Sequence, residues 1–153
     1  MSAEERLAAY LLGPLPEAPA AAGAYAQVVV AGGLAFVSGQ LPLSGGKVRY
    51  TGAVGPENAS EGREAARLCA INVLSQLKAE IGSLDRVARV VRLSGYVCSE
   101  RGFAGQPAVM DGASDIFAAA FGPRTHARVA IGVASLPLEA MVEVDAIAEL
   151  AQP

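Results

Sequence analysis

The stretch His126–Leu150, HARVAIGVASLPLEAMVEVDAIAEL, is apolar at most positions, yet it opens on the chain's one histidine and an arginine and sets Glu143 and Asp145 among valines. Period-two alternation predicts two strands here, joined as a hairpin around SLPLEA. In the first strand Val129, Ile131 and Val133 share one face, and Arg128, Ala130 and Gly132 the other. In the second, Val142, Val144, Ala146 and Ala148 form the apolar face, opposite Glu143 and Asp145. If both apolar faces meet one core, Arg128 and the two carboxylates emerge together on the far surface. One reading of that surface is a solvated face with cross-strand ion pairs, each worth under ~1 kcal/mol. The other is a ligand site: small Ala130 and Gly132 leave room beside a planar guanidinium, whose charge-assisted hydrogen bonds to a carboxylate contribute ~1.5–3 kcal/mol each when water is excluded.

Working outward, GQPAVMDGASDIFAAAFGP before this stretch has helical spacing through Val109, Met110, Ala113, Phe117 and Phe121, closed by Gly122-Pro123. RVARVVRLSGYVCS is β-branched and partly alternating, hence a strand. Asn58 to Ile81 is a longer helix with Ala66, Cys69, Ala70, Val73, Leu77 and Ile81 on its stripe and Gly82 at the C′ position. AQVVVAGGLAFVSGQLP reads as two strands turning at Gly32-Gly33, and Lys47 to Val54 as a third, more polar strand. At the start, Ser2 and Glu5 have the spacing of a capping box before an amphipathic turn through Leu7, Tyr10 and Leu11. Residues 1–21 are thus an N-terminal helix with a proline-rich connector, and residues 22–153 one domain. Helices interleaved with strands predict an α+β fold: a mixed sheet with its two main helices packed on one face.

Composition narrows the function. The 153 residues are 52% apolar but only 5% aromatic, so the core is aliphatic, and part of the apolar surface suits burial by another subunit. A net charge of −3 offers no field for phosphate backbones. At strand spacing Arg86, Arg89 and Arg92 do not share one face, since Arg89 opposes the other two. No membrane span or leader is predicted, which points to a cytoplasmic protein. Cys69 and Cys98 lack disulfide or metal spacing and read as buried thiols; no metal or other cofactor is expected. Ser38 in VSGQLP has no nucleophile elbow around it and reads as a turn or ligand-contact residue, while His126 reads as a loop or capping residue.

Taken together, GAYAQVVVAGGLAFVSGQLP, ARLCAINVLSQLKAEIGSLDRVARVVRLSGYV and the closing A-R, L-P, V-E-V-D pattern resemble the reactive intermediate deaminase family, RidA/YjgF, also called endoribonuclease L-PSP, over about residues 22 to 150. The resemblance implies a chorismate-mutase-like fold assembled as a homotrimer around a central β-barrel, with ligand clefts between subunits. It implies that Arg128 holds a substrate carboxylate, that Glu143 places the attacking water, that Tyr25 of the G-x-Y motif and Ser38 of S-G-Q line the pocket, and that Ala130 contributes backbone contacts. The implied reaction is hydrolysis of enamine/imine acids of the 2-aminoacrylate or 2-iminopropanoate type to 2-oxo acids and ammonia. The alternative is a non-catalytic trimer that binds a small carboxylate metabolite; endoribonuclease action fits less well with the acidic balance and single histidine. Ala24 stands where proline is usual and Ala130 where cysteine is frequent, which suits a divergent branch.

Overall fold

Gly32 and Gly33, both at positive φ (59° and 77°), turn β1 (Val28–Ala31) back into β2 (Leu34–Gln40) as an antiparallel pair. Both turn residues of the tightest hairpins need φ > 0, which glycine adopts without a Cβ clash. The computed structural model describes residues 1–123 and 126–153. After β2 comes a short ribbon, β3 (Leu43–Ser44) with β4 (Lys47–Val48). The strand expected over Lys47 to Val54 therefore stops at Val48; beyond it only single bridges at Thr51 and Val54 form, and Tyr50 takes a left-handed φ of 57° that interrupts pleating.

The helices are α1 (Ala3–Leu11), α2 (Ala59–Ile81) and α3 (Gln106–Phe121). Gly82 at φ 86° ends α2 at the expected place. The predicted stripe of α2 is buried, and α3 turns Val109, Met110, Ala113, Phe117 and Ala120 inward. The two helices pack on each other closely because Gly112 has no side chain: a Cβ there would stand 2.8 Å from Arg63 Cγ and 3.1 Å from its carbonyl carbon. The Ser2/Glu5 capping box is formed, and α1 is bound to the same core through fully buried Leu7. Arg6 Nε and Nη2 donate to Ala120 O at 3.0 and 2.7 Å, satisfying a carbonyl at the end of α3.

The remaining strands, β5 (Val87–Cys98), β6 (Ala127–Val133) and β7 (Val142–Leu150), complete a five-stranded mixed sheet in the order β1-β2-β7-β5-β6. Here the structure corrects the hairpin. β6 pairs with β5, in parallel, and β7 pairs antiparallel with β5 and β2, so β5 separates the two strands of the opening stretch. The physical reason is the crossover: α3 carries the chain from the end of β5 back to its start, and a strand delivered that way lies parallel beside it. The segment after β6 then crosses to the other side of β5 through a short turn in which Leu138 and Glu139 take left-handed φ.

β7 behaves as predicted: Val142, Val144, Ala146 and Ala148 are buried against the helices, and Glu143, Asp145, Ile147 and Glu149 face away. β6 does not. Arg128 pairs with Leu93, Ala130 with Gly95 and Gly132 with Val97, and Leu93 and Val97 are buried on the helix side. Arg128, Ala130 and Gly132 therefore face α3, while Val129, Ile131 and Val133 lie on the open face, with Ile131 44% exposed. Apolar character does not report the inward face on this edge strand. In β5, register shifts between Val87 and Arg89 and between Val90 and Arg92 leave two exposed residues between successive core positions, which puts Arg89 and Arg92 together on the open face. The separation of Arg89 from Arg92 expected at strict strand spacing is thereby overturned.

Candidate functional site

On the open face Glu143 is paired in register with Tyr96, and Tyr96 with Ile131 on the next strand. Tyr96 Oη donates to Asp145 Oδ2 at 3.1 Å, one pleat along β7. Burial, with the nearby Asp145 carboxylate second, raises the pKa of Glu143 above the usual carboxylate value. The Tyr96 phenol is raised too, by burial first and by Asp145 next. The result is a half-buried carboxylate with an increased hold on a proton, flanked by a phenol and a second acid.

The wall beside Glu143 is the Ser38-Gly39-Gln40 segment. The Glu143 carboxylate rests against Gly39, where an added Cβ would fall 2.9 Å from Glu143 Cδ. Ser38 Oγ donates to Ala26 O at 2.7 Å and Ser38 N to Gln27 O at 2.8 Å, so its hydroxyl hydrogen is committed to the backbone that follows Tyr25. Gln40 is buried and donates to Gln27 Oε1 at 2.8 Å, while Gln76 of α2 donates to Gln40 Oε1 at 3.2 Å and to Pro19 O at 2.7 Å. These amide contacts hold the connector against β2. Tyr25 is half exposed, its ring folded over Gly23. Ser38 and Glu143 thus flank Gly39 on the open face, and the backbone that follows Tyr25 is tied to the same segment.

Arg128 and Ala130 do not join them. Arg128 sits on the helix side of the edge strand, where its Nη1 donates to Asp111 Oδ1 at 2.8 Å and to Ser114 Oγ at 3.1 Å, both on α3. Ser114 Oγ shares a hydrogen bond of 2.9 Å with His126 Nε2, and His126 lies edge-on to Phe117 with ring centroids 6.0 Å apart. Burial and the Arg128 charge lower the pKa of His126, favouring the neutral ring. The space expected beside Gly132 is occupied by protein: a Cβ there would stand 2.9 Å from Gln106 Nε2 and 3.0 Å from Ser99 Oγ, so Gly132 lets the start of α3 approach the sheet.

Tyr96, Asp111 and Ser114 were not singled out from sequence. Asp111 and Ser114 are three apart on a helix and so project to one side, but helical apolar periodicity carries no notice of it. A cleft of about 500 Å³ lies elsewhere, between the connector and the β3–β4 turn, lined among others by Pro16, Pro19, Gly45, Leu68 and Asn72; none of the five expected residues borders it. Among the described residues no group of three or more His, Cys, Asp or Glu could hold a metal ion, and no helix is long and apolar enough to cross a membrane.

Comparison with known proteins gives this geometry a context. The chain is 47% identical over 139 residues to Protein TCP17 of Trypanosoma cruzi, covering 89% of this chain and 87% of that one. A crystal structure of a protein of unknown function from Agrobacterium tumefaciens is 43% identical and superposes with a TM-score of 0.88, covering 97% of this chain and 92% of the other. One described as a putative endoribonuclease from Shewanella oneidensis superposes at 0.92 with 35% identity, covering 98% and 100%. The family model described as "YjgF/chorismate_mutase-like, putative endoribonuclease" matches residues 4–150. With its α+β sheet, helices on one face and near-full-length match, the chain belongs to the RidA/YjgF family and has the YjgF/chorismate-mutase-like fold.

Proposed function

We propose that the protein hydrolyses short-lived imine acids of the 2-iminopropanoate or 2-iminobutanoate type, together with their enamine tautomers such as 2-aminoacrylate, to 2-oxo acids and ammonia. The observation that carries this reading is the split placement of the expected residues: a carboxylate-binding guanidinium at one edge of the sheet, and a proton-retaining carboxylate on its opposite face. Each half is incomplete alone. In a homotrimer built by closing the open sheet faces into a barrel, the β6 edge of one copy meets the Tyr25, Ser38 and Glu143 region of the next, and the site forms between copies. The exposed apolar residues of that face, Val29, Phe36 and Ile131, support its burial in an assembly.

In the proposed cleft Arg128 anchors the substrate carboxylate, assisted by the backbone of Ala130, and Glu143 of the neighbouring copy takes a proton from water and orients it toward the imine carbon. The C=N bond gives way to C=O and the nitrogen leaves as ammonium, with no change in oxidation state. The electrophile is already reactive, so orientation and proton transfer suffice without a cofactor. Tyr25 and Ser38 shape the wall, and the reaction is assigned to the cytoplasm, where amino-acid metabolism generates such imines. The test is ammonia release from an imine generated in situ by an amino-acid oxidase. Faster release with the protein supports the reading; an unchanged rate together with tight 2-oxo acid binding supports the alternative, a carboxylate-binding trimer without turnover.

A further inference from the structure

The guanidinium of Arg128 is half of an ion pair. Asp111, on α3, takes one of its N–H groups at 2.8 Å, and Ser114, one turn on, takes the same nitrogen at 3.1 Å. Among the described residues neither Arg128 Nε and Nη2 nor Asp111 Oδ2 has a further hydrogen-bond partner. The Asp111 side chain is 50% exposed and that of Arg128 25% exposed, so both reach the surface side by side. An isolated guanidinium attracts any carboxylate. One already neutralised by a neighbouring carboxylate discriminates: a simple monoanion is repelled by Asp111 as it is drawn to Arg128, whereas a ligand carrying both charges satisfies both groups.

We propose that Arg128 and Asp111 together form a two-point site for a zwitterion, with Asp111 as the residue that selects a protonated α-nitrogen. In an α-amino or α-iminium acid the carboxyl carbon and the nitrogen are about 2.5 Å apart through the shared α-carbon, a spacing that fits adjacent partners separated by one hydrogen bond. Ser114, itself bonded to His126, holds the guanidinium so that Nη2 and Nε remain for the ligand. This rests on the reading of Arg128 as carboxylate anchor and adds a consequence: hydrolysis replaces the cationic nitrogen with a ketone oxygen. The product loses its contact with Asp111 and leaves more readily than the substrate.

The experiment is calorimetric titration of the full-length protein with L-alanine, a zwitterion that cannot be hydrolysed, and with pyruvate, for wild type, Asp111→Asn and Arg128→Ala. Wild type is expected to bind alanine at least about tenfold more tightly than pyruvate, as one charge-assisted hydrogen bond supplies. Asp111→Asn is expected to erase or invert that ratio, and Asp111→Glu to recover it in part. An unchanged ratio in Asp111→Asn, or wild type binding neither ligand, overturns the proposal. If Arg128→Ala binds both ligands as wild type does, the anchor itself is misassigned, an outcome distinct from loss of selectivity alone.

Discussion

Arg128 and Glu143 project from opposite faces of one β-sheet: Arg128 stands in the helix-side row with Leu93 and Ala146, and Glu143 in the open-side row with Tyr96 and Ile131. β5 lies between their strands and they stand three residues apart along them, so their backbones are roughly 14 Å apart, at about 4.8 Å per strand and about 3.3 Å per residue, before the side chains diverge. No side-chain rotation within one chain makes them neighbours across the same substrate. A reaction that uses both needs a second copy, and several consequences follow from that division.

Removing the guanidinium is expected to abolish imine hydrolysis while barely affecting the fold. The Arg128–Asp111 pair is partly exposed, and such pairs contribute ~0–1 kcal/mol. Arg128→Ala should therefore unfold within ~1 kcal/mol of wild type in urea. Loss of ammonia release without loss of stability is the expected pattern.

Gly39→Ala probes the other half of the site. Its new Cβ would occupy the place where the Glu143 carboxylate now rests. That carboxylate is the free end of a flexible chain, so stability should fall by no more than ~1 kcal/mol, but the carboxylate turns away from its wall and the rate should drop at least about tenfold. Comparison of kcat with KM for the imine separates misdirected water from weakened binding, and the expected loss is in kcat.

Glu143 also makes a pH prediction with a definite sign. Its native pKa is raised, by burial and then by Asp145, so the folded protein prefers the protonated acid. Its favourable contribution is complete below the unfolded carboxylate pKa and is lost as pH rises through the native one. Glu143→Gln should accordingly melt higher than wild type at pH 7, with the difference vanishing by about pH 4. Activity runs the other way: the rate of the wild type should rise with pH as Glu143 ionises, at a midpoint above that of an ordinary glutamate.

The tightest helix contact should be the least tolerant. Gly112→Ala drives a methyl group into the backbone of Arg63 on α2, which cannot yield as a side-chain tip can. Overpacking of that kind costs about 1–3 kcal/mol, and chemical denaturation should register it. Leu7→Ala is expected to cost about 2–5 kcal/mol, because Leu7 is fully buried where α1 meets the core.

Much of this fold was legible in the chain, and the exceptions have a common origin. Local spacing carried the α2 stripe to Gly82, the Gly32-Gly33 turn, and the inward face of β7 through Val142, Val144, Ala146 and Ala148. Periodicity states which residues share a face but not which strand lies alongside, so the parallel pairing of β6 with β5 escaped it, and the face assigned to Arg128 was reversed. The register shifts in β5 likewise follow from its pairing with β7, and they bring Arg89 and Arg92 to one face. Tyr96 and Asp145 meet across strands, and Asp111 meets Arg128 across a helix and a strand; neither pair is close in sequence.

The most direct measurement mixes two defective proteins. Arg128→Ala and Glu143→Gln are unfolded together, refolded at equal concentration, and assayed for ammonia release from 2-iminopropanoate. If each site draws Arg128 from one copy and Glu143 from the next, neither variant alone is active, but about one site in four in the mixture carries both intact residues, and activity returns to roughly a quarter of wild type. A mixture as inactive as its components, beside an active wild type, would contradict the shared site.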